Sequence, residues 1–117
     1  MKAIIDIGPR GAFHATAAEQ ARAAKKGAPP DYRLHFESAR TLFSELTPAR
    51  LELLDTLHRM GACSVYALAR EARRNYSNVH SDVAALEAHD LVRRNEQGAV
   101  HVPFDAIEIR LALTAAA

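Results

Sequence analysis

Apolar residues recur along the chain with two different periods, and the change from one to the other marks its organisation. Between Lys2 and Ile7, the residues Ala3, Ile5 and Ile7 fall on one side of a period-two segment, which predicts a short strand closed by Gly8-Pro9-Arg10-Gly11. Thr16-Ala17-Ala18-Glu19 has capping-box spacing and opens an Ala-rich helix that Gly27 and Ala28-Pro29-Pro30 terminate. That helix has almost no large apolar side chain, so a peripheral position is expected. Tyr32, Leu34 and Phe36 then alternate with Arg33 and His35 as a half-buried strand. Ala39, Leu42, Phe43 and Leu46 follow at i, i+3, i+4 and i+7, the stripe of a helix ending at Thr47-Pro48.

Three helices are predicted next, each with a start signal of its own. Thr47 as N-cap and Pro48 at the first helical position begin one whose apolar face is Leu51, Leu53, Leu54, Leu57 and Met60, with Gly61 as its stop. Ser64 caps a second, in which Val65, Leu68, Ala69 and Ala72 form the stripe, and Arg73-Arg74-Asn75 makes a three-residue turn. Asn75 caps a third, running to about Ala88. Its inward face is Val79, Val83 and Leu86, which leaves Ser77, Asn78, Ser81, Asp82 and Ala85 outside. Leu91 to Arg94 and Ala99 to Val102 read as strands of a hairpin around Asn95-Glu96-Gln97-Gly98. From Ala106 to Leu113, Ile107, Ile109, Leu111 and Leu113 alternate with Ala106, Glu108, Arg110 and Ala112. A strand is therefore expected, paired with the N-terminal strand or with another subunit.

At 117 residues the chain has room for one ordinary domain. Its fifteen Lys and Arg against fourteen Asp and Glu give a net charge of +1, which argues for no class of partner by itself. The single cysteine, Cys63, has no intramolecular disulfide partner, and no apolar run approaches the length of a membrane span. A cytoplasmic protein without membrane association is expected. Cys63 lacks a neighbouring base and reads as a small buried hydrophobe. The six histidines, at 14, 35, 58, 80, 89 and 101, include no i+3 or i+4 pair. His80 reads either as a hydrogen-bonded structural imidazole or as a phosphate contact. Ile7-Gly8-Pro9-Arg10-Gly11 lacks the Gly-Lys-Ser/Thr ending of a phosphate-cradling loop and reads as a plain turn. Neither enzyme activity nor a cofactor or metal is expected.

Helix, helix, short turn, helix and hairpin over residues 47–103 is the element order of a winged helix-turn-helix. In that arrangement the third helix offers short polar side chains to the major groove while arginines neutralise phosphates. The candidate DNA-binding residues are accordingly Asn75, Tyr76, Ser77, Asn78 and Ser81 at the start of the recognition helix. Arg70, Arg73 and Arg74 precede it, and Arg93, Arg94, Asn95 and Gln97 lie on the wing. Asn78 has the amide to read adenine bidentately. A blander reading stands beside this one: Arg73-Arg74 also suits a solvated turn, Arg93-Arg94 a charged hairpin, and Tyr76 a lid over the turn. Residues 47–103 hold seven Arg and seven acids, so any positive face must come from geometry.

The residues Phe36-Glu37-Ser38, Leu46-Thr47-Pro48-Ala49-Arg50-Leu51-Glu52-Leu53-Leu54, Ser64-Val65, Leu68-Ala69-Arg70, Tyr76, Asn78-Val79-His80, Asp82-Val83, Leu86-Glu87 and Val102-Pro103-Phe104-Asp105 carry a resemblance. Over roughly residues 32 to 113 the chain resembles a family of small prokaryotic predicted transcriptional regulators with a MarR-like winged helix. The resemblance implies a cytoplasmic, dimeric DNA-binding regulator, and some members resemble antitoxins encoded beside a small toxin. Where such proteins often place Gly, before and after the recognition helix, this chain has Arg73 and Asp90, which predicts a first turn of different build.

The expected architecture is therefore α+β. A strand-helix-strand-helix extension over 1–46 precedes a winged helix-turn-helix over 47–104, and a strand and tail over 105–117 complete a dimer interface. The expected function is that of an autorepressor, a homodimer on pseudo-palindromic double-stranded DNA. The competing expectation is an antitoxin or interaction module whose terminal segments grip a toxin-like protein partner.

Overall fold

The computed structural model describes residues 1–9, 27 and 30–113. Among the described residues it is an α+β structure of four helices and two small sheets, in the order β1 (Lys2–Ile7), β2 (Tyr32–Phe36), α1 (Ala39–Glu45), α2 (Pro48–Met60), α3 (Val65–Ala72), α4 (Tyr76–Ala88), β3 (Arg93–Arg94), β4 (Val100–His101) and β5 (Ala106–Leu111). The expected Ala-rich helix lies outside the described residues. No helix among the described residues is long and apolar enough to cross a membrane. The chain divides into two compact units, one of residues 1–42 with 104–117 and one of residues 43–103.

The first unit is built on a parallel sheet of order β2-β1-β5. Ala3 pairs with Tyr32 and Ile7 with Phe36 on one side, and Lys2 with Ala106 and Ile7 with Leu111 on the other. The C-terminal strand thus finds its partner in the N-terminal strand of its own chain. Alternation predicts one buried side for β1, yet Ile4 and Asp6 are buried as well as Ala3, Ile5 and Ile7. Both faces of this central strand are therefore covered, as is usual for a parallel sheet, and the run 3–7 is buried without alternation. Tyr32 and Phe104 stack with ring centroids 5.7 Å apart, and Phe104 is buried.

In the second unit the helix boundaries follow from local chemistry. Thr47, with extended backbone, accepts a hydrogen bond from the Arg50 amide; Ser64 accepts one from Ala67, and Asn75 one from Asn78. Each satisfies a donor that the first helical turn leaves without a partner. Gly61 ends α2 at φ 77°. The first-turn expectation fails at the next boundary. Arg73 (φ 55°) and Asp90 (φ 58°) both take the left-handed conformation that glycine favours. The amide of Arg74 reaches the carbonyl of Ala69, and that of Leu91 the carbonyl of Leu86, the six-to-one bond that closes a Schellman motif. The two turns are therefore alike, and each holds a non-glycine residue, at a cost of about 1 kcal/mol for Arg73 and less for Asp90.

Leu46, Leu53, Leu54, Leu57, Val65, Leu68, Ala69, Val79, Val83, Leu86, Leu91, Val92 and Val100 form the core of this unit. Leu91 and Val92 are buried consecutively, so strand β3 is confined to Arg93–Arg94, shorter than alternation suggests. The hairpin pairs Arg93 with His101 and Arg94 with Val100. Cys63 adds a bridge on the other side of Val100, the two residues exchanging backbone hydrogen bonds of 3.0 and 2.8 Å. The helical segment is thereby joined to the hairpin. The Cys63 side chain itself is only half-buried.

Candidate nucleic-acid interface

The first turns of α4 present an outward polar tip. Asn75, Tyr76, Ser77, Asn78, His80 and Ser81 are exposed, while Val79 between them is fully buried and fixes the helix to the core. The Asn75 side chain is committed to the cap, its Oδ1 3.3 Å from the Asn78 amide nitrogen. The Asn78 amide group is outward and short, the geometry a base edge requires. Tyr76 tilts toward His80, ring centroids 5.9 Å apart, and remains 48% exposed. His80 is thus an exposed imidazole beside an aromatic ring.

Asp82, assigned by helical spacing to the outer face, is instead half-buried and braces the assembly of helices. Its Oδ1 accepts from Arg50 Nε at 3.1 Å and its Oδ2 from Arg74 Nη2 at 2.6 Å. Arg50 Nη1 also donates to the Glu45 carbonyl at 2.7 Å, so this one side chain ties the end of α1 and the first turn of α2 to α4. Arg74, a candidate phosphate contact, is thereby drawn toward α4. Sequence reasoning missed this brace because its three residues lie 32 and 8 positions apart, and nothing local signals the pairing.

Arg70 and Arg73 are exposed at the end of α3. The Arg70 guanidinium carbon sits 5.9 Å from the centroid of the Tyr66 ring, a cation–π contact on an aromatic side chain that is 61% exposed. Arg73 projects from the left-handed turn immediately before the tip.

The hairpin residues divide into structural and outward roles. Asn95 Oδ1 accepts from the amides of Gln97 and Ala99, both at 3.0 Å, which shapes the four-residue loop together with Gly98 at φ 80°. Gln97 is exposed, and Arg93 is half-buried in the sheet. Arg94 grips Glu87 with Nε at 3.1 and 3.2 Å and Nη2 at 2.9 Å, while Nη1 donates to the Gly98 carbonyl at 3.1 Å. Those hydrogen bonds push the Arg94 pKa up, so its charge is permanent but partly neutralised. Because Glu87 lies in the last turn of α4, the hairpin is anchored about 15 Å along the helix from the polar tip.

Three groups of predicted residues therefore share the second unit: the tip of α4, the α3 end with its turn, and the hairpin loop. Among the described residues there is no group of three or more His, Cys, Asp or Glu side chains arranged to hold a metal ion. In comparison with known proteins, the model of the HVO_A0114 family matches residues 45–109, a span that contains α2, α3, α4 and the hairpin. No curated protein and no solved structure matches the chain.

Proposed function

Starting from a chain that belongs to the HVO_A0114 family, we propose that it is a sequence-specific regulator that binds double-stranded DNA through a winged helix-turn-helix formed by α2, α3, α4 and the β3-β4 hairpin. In this reading the protein acts as a twofold dimer and represses by occupying a promoter. The observation that carries the proposal is the α4 tip: short polar side chains, all exposed, on a helix whose opposite face is locked into the core by Val79, Val83 and Leu86. Such a tip enters a major groove without displacing packed structure.

Asn78 is assigned to base reading, with Ser77 and Ser81 beside it, and Tyr76 to the groove edge. The amides at the start of α4 and the Arg70 and Arg73 guanidinium groups suit the flanking phosphates. Arg74 and Arg94 are orienting residues in the free protein, each held by a carboxylate, and Asn75 and Asn95 shape the backbone that carries the contacts. Gln97, at the exposed loop, suits contact with backbone or minor groove.

The test is binding to DNA from the protein's own upstream region, titrated against salt by fluorescence anisotropy. Asn78→Ala is expected to cost about 1–3 kcal/mol on the cognate site and to narrow the gap between cognate and random DNA. Equal affinity of variant and wild type for the cognate site removes Asn78 from the reading face. Absence of any salt-dependent binding removes the proposal itself.

A further inference from the structure

The outer edge of β5 is exposed and chemically self-complementary. Among the described residues β5 has a single neighbour, β1. Ile109 is 40% exposed, Leu111 58% and Leu113 84%. From residue 106 to 111 the edge strand has no proline, lysine or glycine, and its two charged residues, Glu108 and Arg110, are opposite in sign, so they oppose only those pairings that set like charges together.

The backbone phase of that edge follows from two hydrogen bonds. Gly8 donates to Phe36 in β2, and Ala112 donates to Ile7 in β1. Even-numbered residues of β5 thus turn their amides toward β1, and Ile107, Ile109 and Leu111 turn theirs outward. We propose that this edge pairs antiparallel with β5 of a second copy of the chain, about a twofold axis through Ile109. The pairing joins the two sheets into one of order β2-β1-β5-β5-β1-β2.

Sequence and register single out this axis. With Ile109 opposite itself, Ile107 faces Leu111 of the second copy, and every one of these residues uses outward backbone groups. Glu108 then faces Arg110 of the second copy, twice, at the closely spaced positions where cross-strand side chains interact most. Moving the axis by one residue either way opposes Glu108 to Glu108 or Arg110 to Arg110, so charge selects the register. The Glu108 side chain is 38% exposed, and its ion pairs with Lys2 and Arg110 of its own chain are long, at 3.5 and 3.8 Å. The opposite edge of the sheet offers no such match: the same operation about Leu34 in β2 places Arg33 against His35.

This pairing names the surface of the dimer in the proposed regulator, but it rests on the first unit and is read without DNA, so either proposal can fail while the other stands. The experiment is sedimentation equilibrium of the full chain carrying Glu108→Lys or Arg110→Glu, with folding followed by far-UV circular dichroism. Wild type is expected to dimerise. Each variant alone places like charges at both cross-strand positions, so its self-association weakens about tenfold or more. In the equimolar mixture the introduced lysine faces the introduced glutamate and the native Arg110 faces the native Glu108, so a heterodimer is expected. A folding defect cannot produce that rescue, since the chains are the same alone and mixed. Variants that associate like wild type, a mixture that stays monomeric, or wild type that is monomeric at high micromolar concentration overturns the proposal. The last result leaves the edge to a strand from another protein.

Discussion

Removing the carboxylate of Asp82 tests how α4 is held against the helices beneath it. Asp82→Ala deletes two charge-assisted hydrogen bonds, one from Arg50 at 3.1 Å and one from Arg74 at 2.6 Å. Such bonds contribute about 1.5–3 kcal/mol each when shielded from water. Here the side chains are partly open, 15% exposed for Asp82, 22% for Arg50 and 30% for Arg74, so values below that range apply. Two half-buried guanidinium groups are also left facing each other without a counter-charge, which adds repulsion. The sum is a loss of about 2–3 kcal/mol, or roughly 1–2 M in urea midpoint for a domain of this size. The assay is urea unfolding at 222 nm, where the helices of the second unit dominate, on Asp82→Ala, Arg74→Ala and the double variant. A coupling of about 1 kcal/mol or more between Asp82 and Arg74 is expected from the cycle. Additive losses, or an Asp82→Ala midpoint within error of wild type, would show the brace to be a surface pair of no energetic consequence.

Three further outcomes follow from the same geometry. Arg73→Gly relieves a left-handed residue and is expected to raise stability by about 0.5–1 kcal/mol, while weakening binding to every DNA sequence and flattening the salt slope by about one; a lower melting temperature refutes the strain argument. Glu87→Gln removes the carboxylate that holds Arg94 and is expected to strengthen binding to random DNA, measured as a higher affinity at fixed low salt; unchanged affinity would place Arg94 away from the phosphates. Burial pushes the Cys63 thiol up, so keeping it neutral stabilises the fold below the ordinary cysteine value of about 8.5, and that stability is lost as pH rises through the folded value. Urea midpoints at pH 8 and pH 10 should therefore fall further for wild type than for Cys63→Ala, and parallel falls would sink the assignment.

What could be read from the residues alone is what local chemistry decides. Thr47, Ser64 and Asn75 each cap their helix because a side-chain oxygen two or three residues from an unpaired amide has one obvious use. The apolar stripes of α3 and α4 are likewise internal to each helix. Pairing between distant segments is a different matter. Nothing in Ala106–Leu111 specifies a parallel neighbour over an antiparallel one, and nothing in Lys2–Ile7 announces that Asp6 is buried. Phe43 shows the limit from the other side. It falls on the stripe with Leu42 and Leu46, yet α1 spans only two turns, those two leucines take the buried positions, and Phe43 is left 51% exposed.

The candidate site obeys the same division. The buried spacing of Val79, Val83 and Leu86 made the exposure of Ser77, Asn78 and Ser81 legible, because a helix has only one period to offer, but not the half-burial of Asp82 and Ala85, which depends on the neighbouring segments. Which arginines carry free charge was not. Seven arginines and seven acids between residues 47 and 103 cancel on paper, and any surface potential depends on which of them meet. The fold brings Asp82, midway along α4, to Arg50 and Arg74, and Glu87, in its last turn, to Arg94. Arg70 and Arg73 stay exposed, in the last turn of α3 and at its cap. Cancellation is thus local: Arg50, Arg74 and Arg94 are taken up by carboxylates, and Arg70 and Arg73 are left exposed in the stretch that leads into α4, with Glu71 exposed between them.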